Sequence, residues 1–255
     1  MLRPRIIPSL LIKNKGLVKT KNFKEPKYVG DPINAVRIFN EKEVDEIMIS
    51  DIDATVLNLE PNFTLIKKLA AECRMPLCYS GGIKTSDHAQ KIFSLGVEKI
   101  AISSAAVKNP NLIDEIATRV GNQSLVVVID AKKNSLTGDF EVYTHNGTKK
   151  TGINVKDFSL EVQNRGAGEL VINSIDYDGE MNGYNYELID QIRDQIYLPM
   201  TILGGAGSLQ DIKEIISKYK IIGASAGSLF VFKGVFKAVL INYPDKTEKE
   251  KLYFK

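Results

Sequence analysis

Carboxylates stand at the ends of short apolar runs in this chain: Asp51 with Asp53, Asp130, and Asp176 with Asp178. The run Val126-Val127-Val128-Ile129 leads straight into Asp130. A carboxyl group at the end of a buried strand is partly desolvated, which raises its pKa and suits it to acid–base work. The other role open to such a residue is to cap the turn that follows it. Small-residue turns recur beside these acids, at Gly81-Gly82, Ser103-Ser104, Gly204-Gly205 and Ser225-Ala226-Gly227. Glycine lets backbone amides approach an anion closely, and a helix beginning there favours phosphate. Two such sites imply a ligand with a phosphate at each end, or a nucleotide diphosphate.

The turns and acids are related by an internal repeat. Ile49-Ser50-Asp51-Ile52-Asp53 returns as Ile172-Asn173-Ser174-Ile175-Asp176, an offset of 176 − 53 = 123. Ser80-Gly81-Gly82-Ile83 returns as Leu203-Gly204-Gly205-Ala206, with 204 − 81 = 123. Ile102-Ser103-Ser104-Ala105 returns more loosely as Ala224-Ser225-Ala226-Gly227. Three motifs in one order at nearly one offset point to two fused halves, residues 1–122 and 123–255.

The elements that must carry these residues alternate. Short apolar runs read as strands over Arg5–Leu11, Glu46–Asp51, Leu77–Ser80, Lys99–Ser103, Leu125–Asp130, Glu169–Ser174, Met200–Leu203 and Ile221–Ala224. Helical patterns separate them. They open at Asp31-Pro32 and at Asn109-Pro110, and run over 61–72, 86–95, 155–165, 186–195, 208–219 and 230–241. Eight strands alternating with eight helices predict a parallel sheet, and the internal doubling predicts that it closes into one (β/α)8 barrel over 1–255. Lys13–Gly30 and Lys132–Thr151 are too long for simple turns, and the second reads as a polar hairpin. Both follow strands, on the face where barrels do chemistry.

A second constellation falls at the opposite ends of the strands. Arg5, Glu46, Lys99 and Glu169 stand at or beside the starts of the first, second, fourth and sixth strands, with alternating sign. Such a ring could close the barrel floor or gate a partner-binding face; as plain surface ion pairs the same four would be worth little each. The net charge is only +3 with acids and bases interleaved, which argues against a nucleic-acid partner. No apolar run reaches the ~20 residues of a membrane span, and Met1–Pro8 lacks a signal-peptide core, so a cytoplasmic protein is expected. Cys73 and Cys78 are too few for a disulfide scaffold or a metal site, and neither a metal nor a cofactor is expected. His88 and His145 match no triad; His88 reads as a surface residue.

Along nearly its full length the chain resembles the cyclase subunit of imidazole glycerol phosphate synthase. The matching stretches are Arg5-Ile6-Ile7-Pro8, Gly30-Asp31-Pro32, Ser80-Gly81-Gly82-Ile83, Ala105-Ala106-Val107, Val128-Ile129-Asp130-Ala131-Lys132, Arg165-Gly166-Ala167-Gly168-Glu169, Ser174-Ile175-Asp176, Asp178-Gly179 and Gly204-Gly205-Ala206-Gly207. The resemblance implies a (β/α)8 barrel that takes ammonia from a glutaminase docked on its N-terminal face and passes it through the core to a phosphorylated substrate at the top. It implies that Asp130 is one of two catalytic aspartates, that Arg5, Glu46, Lys99 and Glu169 form the ammonia gate, and that the Gly-Gly turns and Ser104 hold phosphate. Lys19, Asp51 and Asn173 are expected to touch the substrate.

One departure bears on the chemistry. The family closes its first strand with the other catalytic aspartate in a Cys-Leu-Asp-Val context, whereas this chain reads Ser9-Leu10-Leu11-Ile12. Losing one member of an acid–base pair typically costs ~10²–10⁴-fold in rate. Ser103, Asn173 and Leu203 stand where the family has Asn, Thr and Ser. These changes resemble a paralogous branch associated with surface-polysaccharide synthesis, in which a glutaminase and a sugar amidotransferase convert an N-acetyl to an acetamidino group. Three readings follow: an ammonia-conducting barrel serving amidation of a nucleotide-linked sugar; a histidine-pathway cyclase in which Asp176 or Asp51 replaces the missing acid; and a non-catalytic scaffold joining a glutaminase to a synthetase.

Overall fold

Strand β1 (Arg5–Lys13) pairs in parallel with β2 (Ile47–Asp51) on one side and, on the other, with β8 (Gly223–Ala226). Between them run β3 (Leu77–Ser80), β4 (Lys99–Ile102), β5 (Leu125–Lys133), β6 (Glu169–Ser174) and β7 (Met200–Leu203), each in parallel register with the next. Each of these eight strands is paired in parallel on both sides, so together they form a closed eight-stranded parallel barrel. This computed structural model describes residues 3–253; Met1, Leu2, Phe254 and Lys255, which the sequence reading includes in the barrel, lie outside the described residues.

Helices cover the outside: α1 (Pro32–Glu41), α2 (Ile52–Val56), α3 (Phe63–Glu72), α4 (Ser86–Ser94), α5 (Ser104–Lys108), α6 (Asn111–Val120), α7 (Val155–Asn164), α8 (Tyr186–Arg193), α9 (Leu209–Tyr219), α10 (Ser228–Val231) and α11 (Lys246–Tyr253). Their starts are coded locally. Asp31 accepts the Asn34 amide ahead of α1, whose first residue is Pro32, and Ser208 and Asp211 form a reciprocal capping box on α9. Their apolar faces pack on the outward side chains of the strands in one continuous core, which includes Ile6, Ile47, Leu77, Ile100, Leu125, Leu170 and Ile202. No helix among the described residues is long and apolar enough to cross a membrane.

The two long loops are hairpins built onto the barrel. Strand β1 runs past the barrel rim and pairs antiparallel with Gly16–Lys21, which pairs in turn with Lys24–Gly30. Strand β5 does the same with Phe140–Thr144 and Lys149–Asn154. The first and fifth strands are therefore longer than the sequence alone indicates, because their C-terminal ends, Leu11–Lys13 and Asp130–Lys133, pair with the hairpins as extensions of the barrel sheet.

Two sequence expectations fail at the C-terminus. The eighth strand starts at Gly223, not Ile221: Lys220 takes a left-handed φ of 63° and Ile221 remains half-exposed. No helix spans 230–241. The chain makes only α10, then reverses through a hairpin of Phe232–Lys233 and Ala238–Val239 around Gly234 (φ 73°), and becomes helical again at α11. Phe232 is already extended (φ −119°, ψ 148°), so the helix stops before the turn, and Gly234 supplies the left-handed residue that lets the hairpin reverse. His88 also departs from expectation: it is half-buried and meets Phe63 edge-on at 6.0 Å.

Candidate functional site

Alternation along the strands divides the barrel interior into levels. Arg5, Lys99 and Glu169 open β1, β4 and β6, and Glu46 precedes β2 by one residue, so four charges meet at the N-terminal end. One pleat higher lies an apolar cluster of Ile7, Met48, Cys78, Ala101, Val126, Val128, Val171 and Leu203, separate from the outer core. Higher again, Leu11, Ser50, Ser80, Ser103, Asp130 and Asn173 line a pocket that opens at the C-terminal face.

The lower level is a closed cycle of ion pairs. Arg5 bonds both Glu46 and Glu169, the latter at 2.7 Å, and Lys99 bonds Glu46 at 3.0 Å and Glu169 at 2.9 Å. Thr201, which the sequence reading omits, donates to Glu169 at 2.6 Å. It sits on β7 one pleat below Leu203, and that inward parity is the signal that would have found it. Burial works against charge throughout the ring, but the opposite charges outweigh it. They hold Arg5 and Lys99 above their ordinary range and Glu169 below the usual carboxylate range. Removing one member strands a buried partner, so the ring is held together more firmly than four surface pairs would be.

The pocket has a cavity volume of about 130 Å³. Asp130 stands in its wall. Burial raises its pKa to about 6, against the pull of two donors: Asn173 Nδ2 at 2.9 Å and Ser103 Oγ at 3.3 Å. At neutral pH this group is a carboxylate that can take up and return a proton. The Oδ1 atom of Asn173 is buried and has no partner among the described residues. Gly81, Gly82, Ser103, Ser104 and Asp51 line the same pocket. Leu11 lines it too, so the end of the first strand offers the pocket only hydrocarbon.

Several expected site residues have structural duties. Asp51 caps α2 through the amides of Asp53 and Ala54, although burial also raises its pKa. Gly81 has φ 125° and Gly204 φ 95°; a Cβ there would strike Asp51 and the Ser174 carbonyl respectively, so both glycines are demanded by the turns whether or not an anion binds. Ser104 Oγ accepts the His145 amide, and Ser225 Oγ donates to the Ile7 carbonyl, fully buried in the barrel wall.

Asp176 does not line the pocket. Its carboxylate accepts the Lys133 amide at the end of β5. Asp178 does line it, held by Thr20 Oγ1 at 2.6 Å and the Phe23 amide at 3.2 Å. Chain direction explains the exchange. After β6 a single 3-10 turn over Ile175–Tyr177 swings Asp176 outward and brings Asp178 back under the first hairpin. Lys19, on that hairpin, is buried beside Gly227, and burial lowers its pKa while the Asp178 charge opposes the shift. Lys19, Asp178 and Leu203 also reach a second, much narrower crevice with Gly204, Gly205, Ala226, Gly227 and Ser228. The two expected phosphate sites thus differ: one is open, and the other is tight with a lysine in it. Among the described residues no group of three or more His, Cys, Asp or Glu is arranged to hold a metal ion.

Residues 5–237 match the family described as "Histidine biosynthesis protein". A protein of Leptospira borgpetersenii that carries, provisionally, the name imidazole glycerol phosphate synthase subunit HisF is 57% identical over 99% of this chain and 100% of its own length. The Pseudomonas aeruginosa protein with the provisional name of subunit hisF2 is 50% identical, covering 96% of this chain and 97% of its own. The Natranaerobius thermophilus protein named imidazole glycerol phosphate synthase subunit HisF, without qualification, is 38% identical over 95% of this chain and 96% of its own. The higher identity to the provisionally named relatives, one of them numbered, is the pattern of a paralogous branch.

Proposed function

This chain belongs to the histidine biosynthesis protein family, and from that premise we propose that it is the ammonia-receiving barrel subunit of a glutamine-dependent amidotransferase. Its acceptor is an N-acetylated, nucleotide-linked sugar destined for surface polysaccharide, not the bis-phosphorylated precursor of imidazole glycerol phosphate. A glutaminase seats on the N-terminal face against the ring of Arg5, Glu46, Lys99 and Glu169. Ammonia passes that ring and the apolar level of Met48, Cys78 and Val126, and emerges beside Asp130 and Asn173.

The observation that carries this reading is the pairing of a complete ring below with Asp130 above and no acid at the end of the first strand, where Leu11 stands. The other acids that line the pocket, Asp51 and Asp178, are engaged as a helix cap and by Thr20 and the Phe23 amide. Cyclisation to an imidazole needs proton transfers at two positions, and two carboxylates serve them. Delivery of ammonia needs a dry route and one proton acceptor where it emerges; the exchange of the acetamido oxygen for nitrogen, with that oxygen leaving as water after activation, belongs to a separate sugar amidotransferase. Asp130 supplies the acceptor, and the unpartnered Asn173 Oδ1 supplies an oxygen toward which an N–H can point. The phosphate or diphosphate of the substrate lies against Gly81, Gly82, Ser103 and Ser104, with Lys19 and Asp51 at its edge. Gly204, Gly205, Ser225, Ala226 and Gly227 form a second cradle that Leu203 and Lys19 narrow.

One observation favours a genuine cyclase instead: a relative that carries the synthase name without qualification is 38% identical over 95% of this chain. Purified protein given ammonium and the bis-phosphorylated histidine-pathway substrate separates the two. We expect no turnover in the ordinary enzyme range of ~1–10³ s⁻¹, and measurable turnover once Leu11→Asp restores the second acid. Ordinary turnover by the unmodified chain would overturn the proposal.

A further inference from the structure

The two halves of the barrel end differently. In the first, α5 is followed after two residues by α6; in the second, α10 and α11 are separated by residues 232–245, which form the short hairpin. The repeat gives no reason for that insertion. It follows β8, so it stands on the C-terminal face, the face of the pocket.

The hairpin is built and held. Leu240 N donates to Val231 O at 3.0 Å and Asn242 N to Phe230 O at 2.9 Å. Lys27, from the first-strand hairpin, donates to the Lys237 carbonyl and lies over the Phe232 ring at 5.1 Å. Yet its tip is bare: Val235 is 95% and Phe236 96% exposed. Beneath it runs a groove of about 450 Å³, lined by Met181, Leu229, Phe232 and Val235 together with Lys233 and Lys237. Tyr28, on the neighbouring hairpin, is 65% exposed. An ordered turn that presents a phenylalanine to water contributes nothing to its own fold, and exposed apolar patches of this kind mark binding surfaces.

Charge selects the occupant. The hairpin carries Lys233 and Lys237, and the adjoining strand Lys24 and Lys27, against the single acid Glu25. A second copy would set lysine against lysine. A bilayer would meet the tip and its lysines but need not enter the groove, so the groove favours a partner with side chains to fill it. We propose that the hairpin docks a protein with an apolar cleft for Phe236 and a rim of carboxylates for these lysines, and that this protein is the enzyme that uses the nitrogen delivered to the upper face. The identity of that partner rests on the function proposed above; the docking surface does not. One Phe buries ~150–250 Å², short of the ~800 Å² per side of a stable interface, so the partner must also cover Tyr28 and the groove.

The test uses the complex of this chain with its glutaminase, and the acceptor enzyme that amidates the sugar, with affinities read by sedimentation. The double variant Val235→Ser, Phe236→Ser should bind the acceptor enzyme about 30-fold more weakly, the loss of one interface hot spot. Its affinity for the glutaminase should be unchanged, which also reports an intact fold. Lys233→Glu with Lys237→Glu should weaken the same contact and flatten its salt dependence. Unchanged acceptor affinity in both variants overturns the docking site while leaving the proposed function standing. Hairpin-dependent binding to phosphatidylglycerol vesicles, or hairpin-dependent self-association, overturns the choice of a protein partner. If the intact complex neither binds the acceptor enzyme nor amidates its sugar, the proposed function fails, and the partner's identity fails with it.

Discussion

The two half-barrels place different chemistry at equivalent points. In the second half, Asp130 pairs across to Asn173 on one side and antiparallel to Tyr143 on the other. In the first half, Leu11 pairs to Ser50, the repeat mate of Asn173 (173 − 50 = 123), and antiparallel to Val18. The backbone frame is the same: a long strand shared between barrel and hairpin, and a polar neighbour at the same level. Only one frame holds an acid. Architecture and chemistry therefore separate in this molecule, because a hairpin rim is maintained by backbone hydrogen bonds that do not depend on which side chain points inward.

The largest effect expected from disturbing this asymmetry is at Asp130. Asp130→Asn should lower glutamine-dependent product formation by ~10²–10⁴-fold. The same change should stabilise the fold. Burial raises the Asp130 pKa in the folded state from 3.8 to about 6, so the folded protein holds that proton more tightly than the unfolded chain. The stability that protonation supplies is present in full below about pH 4 and is lost as pH rises through about 6. At pH 7 the wild type bears that loss and the Asn variant does not. The gain, read by denaturant unfolding at pH 7 and absent at pH 4, should be at most ~3 kcal/mol by the pKa difference. Full activity of the variant would reduce the second half to the status of the first.

The ring is where the halves cooperate, Arg5, Glu46 and Lys99 coming from one and Glu169 from the other. Lys99→Met leaves Glu46 and Glu169 with Arg5 alone. We expect a loss of ~2–4 kcal/mol, below the range for a fully buried pair because Lys99 is one-fifth exposed. Glutamine hydrolysis should also uncouple from product formation in the complex. Tight coupling with unchanged stability would show that the ring neither gates nor braces.

Much of this was legible in the sequence because barrel strands are apolar runs bounded by small residues, and inward parity follows from the alternation of side chains. Arg5, Lys99 and Glu169 are legible as a set because each opens a strand; Glu46 joins them one residue early. Two kinds of feature were not legible. The exchange of Asp176 for Asp178 depends on one 3-10 turn, which shifts orientation by two residues without any change in composition. The hairpin after α10 reads as a helix because Phe230, Val231 and Phe232 are apolar and the single Gly234 gives little warning. Ser225 illustrates the reverse error. Its sequence context matches a turn serine, but β8 starts two residues later than the apolar run suggests, so its hydroxyl ties the barrel wall to Ile7.

The smallest expected effect sharpens the comparison most finely, because it concerns the two donors that distinguish a working acid from a merely buried one. Asn173 and Ser103 both favour the ionised form of Asp130, Asn173 more strongly and from the shorter distance. Asn173→Ala should move the acidic limb of the pH–rate profile upward from about 6, and Ser103→Ala should move it in the same direction by less. Each deletion removes one hydrogen bond, so stability should change by only ~1 kcal/mol or less. The corresponding change in the other half, Ser50→Ala beside Leu11, has no acid to act on and should leave the profile where it is. A displaced limb in Ser50→Ala would mean that the proton is shared across the pocket, most plausibly with Asp51, and that the acid–base chemistry is not confined to the second half.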